Sequence, residues 1–127
     1  MAFARRLLNL TLSDHAAKRE INRGKKMYGM YGKLTVQRGK RDQLIEIMSR
    51  AAKVVGTLTG CRLYVINLDP DDEMSIGIYE VWDDREAHDA SLNDERVKSL
   101  IAEARPLLGG PPEGVELQVV GGHGIEG

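Results

Sequence analysis

The chain has 127 residues, of which 42% are hydrophobic and 29% charged, with a formal net charge of -1. This length and composition predict one ordinary globular domain, and no apolar run approaches the roughly 18 residues that a membrane helix needs. The single cysteine, Cys61, excludes an internal disulfide framework and fits a reducing compartment, so we expect a cytoplasmic protein. One cysteine and three scattered histidines also argue against a structural zinc site.

Charge is distributed unevenly along the chain. Residues 1–26 carry seven basic and two acidic side chains, a net +5, whereas residues 27–127 carry 11 basic and 17 acidic ones, a net -6. This split predicts a basic N-terminal extension, flexible or partly helical, on an acidic body. An acidic body argues against nucleic-acid binding by the core, and we expect no membrane partner either.

The first half of the body predicts a strand, a helix and a second strand. Alternating apolar residues predict a strand over 27–36, followed by a turn at 37–40. A stripe at helical spacing predicts a helix from Arg41 to Val55, which Gly56 ends. Residues 61–68 form the second predicted strand.

The second half predicts a hairpin partner, two helices and a last strand. A polar loop at 69–73 leads into a strand over 74–82, and Asp83 or Asp84 is expected to cap a short helix that ends near Leu92. A second helix follows Asn93 or Asp94, and Pro106 ends or kinks it. A strand over 115–120 precedes a Gly-rich tail at 121–127.

The predicted order is β-α-β-β-α-β, which is the ferredoxin-like α+β arrangement of residues 27–120. Four antiparallel strands with helices on one face leave the other sheet face uncovered. Because several residues of that face are apolar, a second copy packing sheet against sheet would cover it, so we expect a homodimer.

The run Tyr-Glu-Val-Trp at 79–82, followed by an acidic turn and a helix, resembles the antibiotic biosynthesis monooxygenase family. The turn at 37–40 and the Gly-Cys step at 60–61 are similar to that family too. The resemblance covers about residues 27–120. The resemblance implies a dimeric α+β barrel in which each subunit has a pocket between its sheet and its helices. Members of the family include enzymes that oxidise quinols or polycyclic phenols without a cofactor and enzymes that degrade haem.

The resemblance to the haem-degrading branch fails at its functional positions. This chain has Gly32, Ser91 and Ile101 where that branch carries its Asn, Trp and His, and none of these supplies the axial donor that haem requires. The quinol-oxidising branch often carries a His nine residues after the strand-end Trp, which is again Ser91 here. His88 lies one helical turn earlier, on nearly the same face, and is the substitute we expect.

A cofactor-free oxygenation needs a base for a phenolic proton and a dry pocket for the oxygen chemistry. The ordinary pKa of histidine suits the base, so His88 is the predicted catalyst, with a solvent-facing helix residue as the alternative. Asn67 is predicted to hold a substrate carbonyl or oxyanion, and the alternative is a turn residue that bonds its own backbone.

Four further residues are predicted to contact the substrate: Tyr64, Tyr79, Trp82 and Ser91. The alternative for Trp82 is a core anchor at the strand end, which is the more common role of a tryptophan there, and the alternative for the two tyrosines is interface or core packing. The sequence therefore predicts a cofactor-free monooxygenase that oxidises a small aromatic or quinol-like substrate with dioxygen. The alternative is a non-catalytic small-molecule-binding or interaction dimer of the same fold.

Overall fold

The computed structural model describes residues 26–126, so the structure of the predicted extension at 1–26 lies outside them except for Lys26. The elements follow in the order β1 (Met27–Thr35), α1 (Arg41–Val55), β2 (Cys61–Asn67), β3 (Ser75–Trp82), α2 (Arg85–Ser91), α3 (Glu95–Ala104), a 3-10 turn (Arg105–Leu107) and β4 (Glu113–Val119). Within the described range, no helix has the length and apolarity needed to cross a bilayer.

The four strands form one antiparallel sheet in the order β2-β3-β1-β4. The first strand therefore lies in the middle, with β3 on one side and β4 on the other. Tyr28 pairs with Trp82, and Met30 pairs with Glu80. The predicted β-α-β-β-α-β ferredoxin-like α+β fold is confirmed.

Two amphipathic helices, α1 and α3, cover one face of the sheet. The predicted bounds of α1 are confirmed, and its buried stripe consists of Leu44, Ile47, Ala51 and Val55. The carboxylate of Asp94 caps α3 by accepting hydrogen bonds from the second and third backbone amides after it.

Helix α2 is short, and two contacts at Ala87 hold its first turn in place. The side chain of Asp84 accepts a hydrogen bond from the backbone N–H of Ala87. Gly60, in a left-handed backbone conformation (φ 88°), brings the chain entering β2 against the same alanine. The turn at Gly60 and the cap at Asp84 together fix α2 beside the end of the sheet.

The core lies between the sheet and the helices and has two clusters. The larger cluster contains Val36, Leu44, Ile47, Ala51, Ile76, Ile78, Leu100, Ala104 and Leu107. The smaller one lies at the opposite end of the strands and contains Tyr28, Val55, Trp82 and Val97. The side chain of Trp82 is fully buried there, as the core-anchor alternative predicted.

The other sheet face carries a band of apolar side chains. Tyr31, Val65 and Leu117 are each about two-fifths exposed on it (44%, 39% and 41%). The segment after β4 returns toward β2, where the guanidinium of Arg62 donates a hydrogen bond to the carbonyl of Ile125 at 2.9 Å.

The predicted strand ends differ from the observed ones by one or two residues. Val36 leaves β1 and forms an isolated bridge with Leu108 instead. Strand β4 begins two residues before the predicted Val115, because Glu113 pairs with Lys33. Backbone pairing extends past the apolar run in β4, and the apolar pattern alone does not show this.

Candidate functional site

A cavity of about 780 Å³ lies between the sheet and the helices. Its walls are mainly apolar and include Leu34, Met48, Ala51, Val97, Leu100 and Leu108. The segment 109–112, with two glycines followed by two prolines, forms another part of the wall. Apolar walls of this kind bury aromatic ligands and exclude water from them.

A small number of polar side chains line the same cavity. They are Glu80 from β3, Tyr64 from β2, Ser91 at the end of α2, and Arg105 from the turn after α3. Tyr64 and Glu80 are directly opposite each other on neighbouring strands. A carboxylate and a phenol therefore face one ligand site from adjacent positions on the sheet.

Glu80 is held in place by its neighbour on the same strand face. The indole Nε1–H of Trp82 donates a hydrogen bond to Oε1 of Glu80 at 2.9 Å. Burial raises the pKa of the Glu80 carboxyl, while the hydrogen bond from Trp82 and the nearby His88 act in the opposite direction. A carboxyl with a raised pKa can exchange a proton with a substrate nearer to neutral pH than an ordinary glutamate can.

Tyr64 keeps its proton in this setting. Burial raises the pKa of its hydroxyl, and the negative charge of Glu80 raises it further. The phenol is therefore available as a hydrogen-bond donor to a bound ligand.

His88 is buried behind Trp82. Its ring centroid lies 4.9 Å from that of Tyr28 and 6.0 Å from that of Trp82, and Nδ1 lies 3.0 Å from a carboxylate oxygen of Asp89. With 8% of its surface exposed, His88 is not the solvent-facing residue of the alternative interpretation. It is also not among the described residues that line the cavity, and its role as the base stays a prediction.

Tyr28 connects this histidine to a charged group at the edge of the sheet. The Tyr28 hydroxyl donates to Oε1 of Glu116 at 2.9 Å, and the Arg85 guanidinium contacts the same carboxylate at 3.1 Å. The Arg85 guanidinium also lies 5.9 Å from the centre of the Tyr28 ring. Burial raises the pKa of Tyr28, so this phenol stays protonated as a donor.

Of the residues predicted to contact the substrate, Ser91 and Tyr64 line the cavity. The Ser91 hydroxyl is buried and donates to the carbonyl of His88, so its hydrogen is already engaged. The position where the quinol-oxidising branch often has an imidazole thus faces the cavity in this chain, but with a hydroxyl.

Asn67 and Tyr79 lie on the opposite sheet face. Tyr79 pairs with Val65, and Asn67 pairs with Gly77, in the alternation that places Glu80 on the cavity face. The Asn67 side chain is exposed and donates to the carbonyl of Val65 at 3.3 Å. The structure therefore does not bring these two residues to the cavity that contains Tyr64 and Ser91.

Glu80 is a cavity residue that was not predicted from the sequence, and within the described chain it forms no ion pair with Arg62 or Arg96. Arg62 pairs with Asp83, and Arg96 pairs with the helix cap Asp94. The two-residue spacing between Glu80 and Trp82 was the available signal, because it places the two side chains on one face.

The comparisons with known proteins agree with this fold. The sequence profile described as antibiotic biosynthesis monooxygenase matches residues 27–103. The chain belongs to the antibiotic biosynthesis monooxygenase family. A structure from Chloroflexus aurantiacus, described with the same family name, is 44% identical with a TM-score of 0.72, over 79% of this chain and 99% of that one.

Two further solved structures, each less than 25% identical to this chain, show the fold alone. One from Caulobacter crescentus is 24% identical, with a TM-score of 0.71 over 76% of this chain and 92% of that one. SnoaB from Streptomyces nogalater, described as a cofactor-independent oxygenase, is 16% identical, with a TM-score of 0.68 over 77% of this chain and 97% of that one. The comparison with curated proteins found no match.

Proposed function

We propose that this chain is a cofactor-free monooxygenase that oxidises quinol or polycyclic phenolic substrates with dioxygen. The observation that carries the proposal is the apolar cavity of about 780 Å³ with a carboxylate and a phenol on one wall. Its volume suits a fused aromatic ring system, and its walls would shield an oxygen-reactive anion from water.

The reaction requires no group beyond the substrate and dioxygen. Removal of the phenolic proton gives an electron-rich anion, which passes an electron to dioxygen and then combines with the reduced oxygen at carbon. The O–O bond and the C–H bond of that carbon then break, so one oxygen atom stays in the product as a carbonyl and the other leaves as water with the C–H hydrogen and the phenolic proton. The description of SnoaB as a cofactor-independent oxygenase supports this class of reaction at the level of the fold.

The protein contributes binding, orientation and proton transfer. Tyr64 and Ser91 line the cavity and would contact a substrate oxygen. Trp82 does not line the cavity but orients Glu80, which does, through the hydrogen bond from its indole N–H. His88 is the base predicted from the sequence, and its buried place behind the indole makes substitution there an informative test. The active form in this proposal is a cytoplasmic homodimer that packs through the open sheet face.

The test is oxygen uptake by the purified, metal-stripped protein with hydroquinones, naphthoquinols and anthrones, after subtraction of autoxidation. The proposal predicts uptake that depends on the protein. Ile101→Trp, at a half-exposed position that lines the cavity, should reduce uptake by filling it. Val120→Trp, at a position that is 92% exposed and does not line the cavity, is the matched control.

The possible results separate the two functions. Uptake that is lost in Ile101→Trp and kept in Val120→Trp supports an oxygenase that works in this cavity. A folded protein that consumes no oxygen with any of these substrates contradicts the proposal and leaves the non-catalytic binding dimer.

A further inference from the structure

We propose that Glu80 is the proton acceptor of the cavity and that Trp82 is the residue that positions it. The inference rests on the proposed function, and it names the group that ionises the substrate. Its geometrical basis is a carboxylate that lines the cavity and is fixed at one oxygen by the indole N–H of Trp82 at 2.9 Å.

The bond from Trp82 uses only one oxygen of the carboxylate. Trp82 donates to Oε1, and Oε2 accepts no hydrogen bond from any residue that the structure describes. Since Glu80 lines the cavity, Oε2 is the atom available to a ligand hydroxyl. A base must lie within hydrogen-bond reach of the proton it removes, and Oε2 is the oxygen that takes this position toward a phenol in the proposal.

The other polar groups around the cavity are poorly suited to accept the proton. Burial raises the pKa of Tyr64, so its phenol is a donor at neutral pH. The hydroxyl of Ser91 donates to the carbonyl of His88, and Arg105 is a cation. His88 does not line the cavity with the other described residues.

The electrostatic surroundings of Glu80 come from several elements. Cys61 and Tyr64 face it from β2, His88 faces it from α2, and its β1 partner Met30 is uncharged. The parts of α1 and α3 that line the cavity are apolar. Burial among these groups raises the pKa of the Glu80 carboxyl, which narrows its gap to the pKa of a phenol.

The proton step balances without another reactant. Glu80 takes the phenolic proton, so the O–H bond breaks, the substrate becomes an anion and the carboxylate becomes a neutral acid. Neutral acid is the form that burial favours at this position. Oxygen adds to a carbon that carries a hydrogen and forms a peroxide. The O–O bond and the C–H bond of that carbon then break to leave a carbonyl and hydroxide, and hydroxide takes the proton from Glu80 to become water, which restores the carboxylate.

The test uses alizarin, a dihydroxyanthraquinone whose colour changes when its phenol ionises and which is already at the quinone oxidation level. In the native protein, ionisation of bound alizarin should release no proton to the solvent, because Glu80 takes it, whereas in Glu80→Gln the same colour change should release one proton per bound dye. The amide oxygen of Gln still accepts from Trp82, so only the proton-accepting function is removed. Glu73→Gln, at an exposed loop position, is the matched control and should match the native protein.

Turnover provides a second readout. Glu80→Gln should lower kcat/KM at neutral pH by at least about a hundredfold, the usual minimum for loss of a general base. Trp82→Phe removes the N–H that stabilises the carboxylate, so the acid limb of its pH profile should move to higher pH. A purely structural role for Trp82 would lower activity without moving that limb.

The outcomes distinguish this inference from the proposed function. Equal proton release on ionisation of bound alizarin in the native protein and in Glu80→Gln would overturn the inference, and so would failure of alizarin to bind the folded protein. Oxygen uptake that survives in Glu80→Gln would also overturn it while leaving the monooxygenase intact. Proton release that depends on Glu80 without any oxygen uptake would support the proton acceptor and contradict the oxygenase.

Discussion

The imidazole of His88 packs against the ring of Tyr28, with centroids 4.9 Å apart and the planes inclined at 45°. Both side chains are buried, and the ring of Trp82 lies 6.0 Å from the imidazole at an interplanar angle of 81°. His88 is therefore part of the aromatic packing at this end of the sheet, whatever its part in catalysis. Loss of activity in a truncated variant would not by itself identify a base.

Replacing His88 with alanine should destabilise the fold. The vacated space between Tyr28 and Trp82 leads us to expect a loss of about 2–4 kcal/mol in the free energy of unfolding, measured by urea denaturation. His88→Phe keeps an aromatic ring but removes both nitrogens, so it serves as the companion variant. Turnover retained in folded His88→Phe would exclude the imidazole as the base, and turnover abolished there would restore His88 to that role.

Gly60 and Gly39 form a matched pair for testing the approach of α2 to the sheet. Both have left-handed backbone conformations, with φ of 88° and 80°. A Cβ at Gly60 would lie 2.7 Å from the Cβ of Ala87, whereas a Cβ at Gly39 would meet nothing within 4 Å. Gly39→Ala should therefore cost about 1–2 kcal/mol from backbone strain alone, and Gly60→Ala should cost more.

Thermal and urea unfolding of these two variants supply the comparison. Equal losses would mean that the contact between Gly60 and Ala87 relaxes at no cost, contrary to the expectation of a close-packed junction. A larger loss in Gly60→Ala would show that α2 is held tightly beside the end of the sheet.

The sequence predicted the fold well because each element carries a local signal. The apolar stripe of α1 and the stop at Gly56 gave its bounds, and the cap before α3 lies at one of the two predicted positions, Asp94. Pairing decided the remaining details. Val36 leaves the sheet strand to bridge Leu108, a residue 72 positions away, and no local pattern shows that contact.

The site was harder to predict because β3 is apolar on both faces. The alternation of side chains along β3 showed that Tyr79 and Glu80 lie on opposite faces of the sheet. Because each face of β3 also carries apolar residues, the pattern does not show which face the helices cover. Asn67 follows the face of Tyr79 and lies away from the cavity. His88 is flanked by exposed or half-exposed acidic residues on α2, and its burial depends on packing against Tyr28 of β1.

The raised pKa of Glu80 predicts a specific pH dependence of stability. A carboxyl whose pKa is higher in the folded state binds more protons there than in the unfolded chain, where a glutamate pKa is about 4.3. Its contribution to stability therefore falls as the pH rises from that value through the folded-state pKa. Glu80→Gln removes this titration, so its stability relative to the native protein should increase with pH over that window.

Urea denaturation at a series of pH values measures this difference directly. Glu73→Gln should give a curve parallel to that of the native protein, because Glu73 is exposed. A Glu80→Gln curve that is also parallel would contradict a raised folded-state pKa and would weaken the assignment of Glu80 as proton acceptor.

The open sheet face leads to the last prediction, which concerns assembly. Val65 and Leu117 lie on that face and are 39% and 41% exposed in the single chain. If two copies pack through it, as we propose, Val65→Asp or Leu117→Asp would bury an unpaired charge, which costs several kcal/mol. Sedimentation velocity should then show a dimer for the native protein and a monomer for each variant. Ser99→Asp adds the same charge at an exposed position on α3 and should stay dimeric, whereas a dimer that persists in both sheet-face variants would place the contact elsewhere.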